Sequence, residues 1–172
     1  MMDIIREFVI PALLSFAGAL GLGVRYNIRR VHIVAASVGA MVCKLIYMIM
    51  QYADMSETMA CFFAALAAAA YSEILARVFR SPVTMYLIVS IIPIVPGMSA
   101  YYTMLALVTG DNDTFTFRMI ETFKMSGAIA IGIFLVPAVI RAFQVVYRDH
   151  RDDIADMIRE FGNDDKKGIK KL

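Results

Sequence analysis

Five long apolar runs constrain this chain more than any other feature. They fall at about residues 5–24, 31–52, 57–78, 82–109 and 122–147, and together they occupy most of the 172 residues. A helix needs about 20 mostly apolar residues to cross the hydrocarbon core of a bilayer, and every run meets that length. Lipid offers no hydrogen-bond partners, so a spanning segment must satisfy its own backbone, which here means helix. The expectation is an all-α, polytopic membrane protein. Residues 1–147 form a five-span transmembrane domain, and 148–172 form a polar cytoplasmic tail.

Composition supports that reading. The chain is 60% hydrophobic and 19% charged, against roughly 45–50% and about 25% in soluble domains. No length remains for a separate soluble domain. The net charge of +2 and the placement of basic residues at span ends argue against a nucleic-acid partner. Ala17-Gly18-Ala19 resembles a signal-peptide cleavage site, but Asp3, Arg6 and Glu7 do not make a basic leading region, so the first run is expected to stay as a span.

The distribution of basic residues sets the orientation. With five spans, Arg25, Arg29, Arg30, Arg77, Arg80, Arg141, Arg148, Arg151, Arg159 and the lysines of the tail share one side. The other side has Arg6, Arg118 and Lys124. This places the C-terminus in the cytoplasm and the N-terminus outside. Many secondary transporters pair two inverted halves around a midplane site, and a five-span chain is the right size for one half.

The fourth run carries the strongest local signal. Pro93 and Pro96 each remove an N–H donor and clash with the preceding turn, and Gly97 follows directly. The spacing predicts two half-helices separated at Pro93-Ile94-Val95-Pro96-Gly97. Non-helical backbone at membrane depth is tolerated where protein buries it or where it lines a wet cavity. The second half-helix would present free N–H groups near Gly97, Met98 and Ser99, an end suited to a carboxylate. A kink that only shapes packing is the alternative.

Lys44 lies near the middle of the second run, where a lysine costs at least about 2.5–3.5 kcal/mol. It should face the interior, as a functional group or paired with one, unless its stem snorkels to an interface. Glu73 and Arg77, four apart on the third run, form either a structural ion pair or part of a coupling relay. Small residues recur at helical spacing, among them Ser15, Ala19 and Gly23, the stretch Ala64–Ala70, and Gly127 and Gly132. They predict close helix packing.

The remaining motifs are sparse. Cys43 and Cys61 sit in apolar runs without metal spacing, and the 13 methionines form no ladder. No Ser/His pairing, zinc motif or pair of intramembrane aspartates is present, so neither an enzyme nor a cofactor is implied. In the tail, Ile154, Ile158 and Phe161 at helical spacing suggest an amphipathic helix. Lys166, Lys167, Lys170 and Lys171 would favour an anionic leaflet, and a solvated end is the other reading.

Several of these residues also carry a resemblance. Glu73, Arg77, Arg80 and Pro82, then Ile91-Ile92-Pro93-Ile94-Val95-Pro96-Gly97, then Tyr101, Met104 and Gly110-Asp111, resemble the C-terminal membrane half of the threonine/serine exporter family. Asn27, Arg30 and Gly39 fit the same pattern. In some members this half is a separate small chain acting with a larger five-span subunit that has a cytoplasmic N-terminal domain. The resemblance implies that split form, with secondary export of small amino acids or of dicarboxylates from the cytoplasm across a bacterial inner membrane. It departs at Ser90, where the family often has proline, and at Tyr102-Thr103, where it often has a basic residue and glycine. Tyr101 and Tyr102 would shape the substrate cavity, together with Lys44 and the broken helix. A non-transporting scaffold or accessory subunit is the second reading, and the small-residue faces would serve a homo-oligomer as well as they serve a partner.

Overall fold

The computed structural model describes the backbone of residues 2–169 and the side chains of 6–29 and 31–144. The elements run α1 (Met2–Arg25), α2 (Arg30–Tyr52), α3 (Glu57–Phe79), α4 (Val83–Ile91), one 3-10 turn (Ile92–Ile94), α5 (Gly97–Thr109) and α6 (Asn112–Ile169). Every regular element among the described residues is helical. Four helices are long and apolar enough to cross a membrane, and the pair on either side of Val95-Pro96, bent by 57°, makes a fifth if it counts as one span. The side chain of Arg30 and those of Ile154, Ile158, Phe161 and the tail lysines lie outside the described residues.

Short turns join the helices. Asn27 (φ 54°), Asp54 (φ 55°) and Arg80 (φ 50°) take left-handed conformations where α1, α2 and α3 end, and Gly110 (φ 76°) does the same after α5. Ser56 caps α3 by accepting from the Met59 N–H.

The chain divides into two units, Met1–Val136 and Pro137–Leu172. In the second unit the backbone is α-helical as far as Ile169. In the first, the buried residues are mostly alanine. Ala36, Ala40, Ala60, Ala64, Ala65 and Ala68 are fully enclosed. Lipid supplies no hydrophobic drive between helices, so small residues that let backbones approach provide the packing. A Cβ on Gly39 would meet the Tyr71 ring at 2.8 Å and collide with the Ser90 hydroxyl. A Cβ on Gly132 would lie 2.8 Å from the Phe62 carbonyl oxygen and 3.0 Å from the Ala65 Cβ. Gly39 therefore sets how closely α2 meets α3 and α4, and Gly132 sets how closely α6 meets α3.

The last helix begins ten residues before the apolar run does. Residues 112–121 include the polar Asn112, Asp113, Arg118 and Glu121, which lie before the apolar run read from the sequence. The helix starts there because Asp111 caps it, with its Oδ1 accepting from the Thr114 N–H at 3.1 Å. Bonds from the Thr114 hydroxyl and then the Thr114 backbone hold the exposed Asp111 carboxyl below the usual carboxylate range.

Two outcomes follow from this packing and capping. Gly132→Ala should destabilise the bundle by about 1–3 kcal/mol through overpacking, whereas Gly127→Ala, whose Cβ meets nothing within 4 Å, should be neutral or slightly stabilising. Thermal midpoints in detergent distinguish the two. Because the Asp111 carboxyl is depressed in the folded state, its capping contribution is complete above the ordinary carboxylate range. It is lost as pH falls through the lowered folded value. Amide protection in the first turn of α6 should drop over that window in the native chain and be independent of it in Asp111→Ala.

Candidate functional site

The site forms where the backbone cannot continue as helix. α4 stops at Ile91, one 3-10 turn carries Pro93, and Val95 is extended (φ −60°, ψ 127°). Pro96 then precedes α5 without a side-chain cap. The Gly97 N–H donates to the Val95 oxygen at 2.7 Å and the Ala100 N–H to the Pro96 oxygen at 3.0 Å. The N–H groups of Met98 and Ser99 have no backbone or side-chain acceptor among the described residues. These are the orphan donors of a helix N-terminus. Gly97 is not in a positive-φ conformation. A Cβ there would meet nothing within 4 Å, so the glycine leaves space beside the break.

That space is a cavity of about 350 Å³, within the roughly 300–1,000 Å³ span of small-molecule sites. Lys44 and Tyr47 reach it from α2, Glu57 and Cys61 from α3, and Arg118, Glu121 and Met125 from α6, while residues 93–99 and Tyr102 supply the broken segment. Lys44 forms no ion pair among the described residues; its Nζ sits 4.9 Å from the centre of the Tyr47 ring. Glu57 likewise forms no ion pair among them. Arg118 and Glu121 pair with each other at 3.6 Å, and the Arg118 guanidinium stands 5.9 Å from the Tyr102 ring centre.

A hydroxyl cluster ties α5 to α6 at the cavity edge. The Ser99 and Thr122 hydroxyls are 2.7 Å apart, and the Thr103 hydroxyl donates to the Ser99 carbonyl oxygen at 2.8 Å. The Ser99 side chain is thereby held in place rather than free to turn.

The structure brings together Lys44, Pro93, Pro96, Gly97, Met98, Ser99 and Tyr102 of the residues singled out in sequence. Tyr101 is not among the lining residues and is 59% exposed. Glu73 and Arg77 also lie elsewhere, as an i,i+4 pair at 3.7 Å with the arginine 56% exposed, a geometry worth a few tenths of a kcal/mol. Sequence reasoning missed Tyr47, Glu57, Arg118 and Glu121. Tyr47 is one turn from Lys44 on the same helix, Glu57 stands at the first position of the third apolar run, and Arg118 and Glu121 sit in a stretch read as a loop.

The profile of the family described as Threonine/Serine exporter, ThrE, matches residues 11–139. The chain belongs to this family. No curated protein and no solved structure matches it. As a member of the threonine/serine exporter family it is a multi-pass membrane protein and a membrane component of a transporter. Every residue lining the cavity falls within the matched range. In this exporter-family chain Ser90 is fully buried and donates to the Ala36 carbonyl oxygen at 3.4 Å, a bond between α4 and α2 that proline could not make.

Proposed function

We propose that this chain is the membrane subunit of a secondary exporter of small amino acids of the threonine/serine type, or of small carboxylates. It would act with a larger partner subunit that has a cytoplasmic N-terminal domain. The cavity at the α4–α5 break is where the solute binds. One observation carries the reading: Lys44 and Glu57 line the same cavity and neither has a counter-ion among the described residues. A cation and an anion left unpaired beside two orphan N–H groups match a zwitterion. Lys44 and the Met98 and Ser99 N–H groups would hold the carboxylate, Glu57 would hold the ammonium, and the Ser99 hydroxyl would face the solute's side chain. Pairing charges in a partly desolvated cavity is worth more than at an open surface.

Arg118 bears on the family's departure at Tyr102. Where related chains often carry a basic residue, this one has an aromatic ring with an α6 guanidinium near it, so positive charge reaches the same region from a different helix. The membrane is taken to be the bacterial inner membrane from the family resemblance, and the C-terminus to be cytoplasmic from the distribution of Arg and Lys.

Flux through the assembled exporter in proteoliposomes tests the site. Lys44→Gln should weaken solute affinity about 10–100-fold, as expected for losing a charged hydrogen-bond partner, with assembly intact. Gly97→Leu should block flux and Gly97→Ala should not. Wild-type flux in Lys44→Gln together with impaired assembly would favour the scaffold reading instead. The partner is tested separately. Mild-detergent purification from the native host should recover a second membrane protein with a cytoplasmic domain, and recovery of this chain as a homo-oligomer alone would remove the two-subunit reading.

A further inference from the structure

A second cavity, of about 480 Å³, lies at the opposite end of α2, where the α1–α2 and α3–α4 turns meet. Its polar wall includes Arg29, His32, Ser81 and Thr84, and its apolar wall includes Met85 and Ile88. Among the described residues, no Asp or Glu lines it. The half-buried His32 ring is held by its Nδ1, 2.6 Å from the hydroxyl of the fully buried Tyr86. With that hydroxyl donating, Nε2–H is left as a donor, and no protein acceptor meets it among the described residues. Arg29 and Pro82, the residues preceding α2 and α4, both line the cavity, and neither helix start has a side-chain cap. Charge, donors and two helix ends therefore favour an anion at one end of the space.

The other end is apolar and open. Ile88, on the membrane-spanning segment α4, is 49% exposed, so the apolar wall continues from the cavity onto an exposed apolar surface. A free phosphate would leave that wall wet, whereas a lipid fills both parts. We propose that this cavity is a binding site for an anionic phospholipid, with the phosphate at Arg29 and His32 and an acyl chain along Met85 and Ile88. Basic pockets between spanning helices are suited to such head groups.

Native mass spectrometry of the purified full-length chain, with phosphatidylglycerol or phosphatidylcholine of matched acyl chains, tests the assignment. The wild type should retain the anionic lipid about fivefold more than the zwitterionic one, the preference expected from one arginine near a head group. Arg29→Gln should erase that preference. Arg77→Gln, on the same end but outside the cavity, should keep it. Ile88→Asn, at an exposed position that leaves the core intact, should lower retention of both lipids. Equal retention by the wild type would overturn the proposal, as would equal effects of the two arginine substitutions or full retention in Ile88→Asn. Displacement of the lipid by an equal concentration of glycerol phosphate would overturn it as well, since the head group alone would then account for binding.

Discussion

The helix breaks at the paired Pro93 and Pro96, whereas α1 and α6 run on through the single prolines Pro11 and Pro137, and the site depends on that break. Each proline takes a donor from the ladder and pushes its ring toward the preceding turn. Three residues apart, they leave no complete turn between them, so the chain uses a 3-10 turn, an extended Val95 and a fresh start at Gly97. In lipid such a break is tolerable only if protein surrounds it or water fills the space beside it. Both hold here. Ile94 is buried against Cys43, Cys61, Ala64 and Ile129, while the N–H groups of Met98 and Ser99 are left at the cavity.

The alanine- and glycine-rich packing and the charged cavity are linked. Because α2, α3 and α4 meet through Gly39, Ala36 and Ala40, their backbones lie close and the interior has little free volume. On the Lys44 side of that contact, space for a solute opens where the broken segment departs from the close packing. Lys44 is one turn beyond Ala40 on α2, at the edge of the close contact, which is why its side chain reaches open volume instead of alanine. A charge with no counter-ion is unfavourable in low dielectric. Contact with the Tyr47 ring offsets part of that cost, and a bound carboxylate would offset more.

The features legible in the sequence were those whose physics is local. Apolar run length gave the helices, the paired prolines gave the break, and the insertion cost of a central lysine marked Lys44. Arg118 and Glu121 were not legible for the same reason that α6 was placed ten residues late. Both stand in a polar stretch near a helix start, where hydropathy reads loop and only a cap, Asp111, tells otherwise; Glu57 stands at the first position of the third run, where a charge marks only the end of a span. Their convergence on Lys44 depends on which helices are neighbours, and no spacing within one helix encodes that. Tyr101 shows the converse limit. Its neighbour Tyr102 turns into the cavity, and a residue one position on in a helix points about 100° away.

The two cavities stand at opposite ends of α2, with His32 and Lys44 about 18 Å apart along the axis. Between them the helices are closed. The Tyr71 hydroxyl donates to the Ala35 carbonyl oxygen at 2.9 Å, Ser90 bonds to that of Ala36, and Gly39 lies against both side chains. A solute leaving the first cavity cannot pass through α2, α3 and α4 without separating backbones that are in contact and breaking both bonds. The outer face of α5 is different. Met98, Tyr101, Met104 and Val108 are all exposed there, and the Tyr101 hydroxyl has no protein partner among the described residues. An unpaired hydroxyl against hydrocarbon is unfavourable, whereas water in a vestibule or a polar group on a second subunit would satisfy it. That asymmetry favours a transport path completed on the α5 side by another chain over one running through this bundle alone.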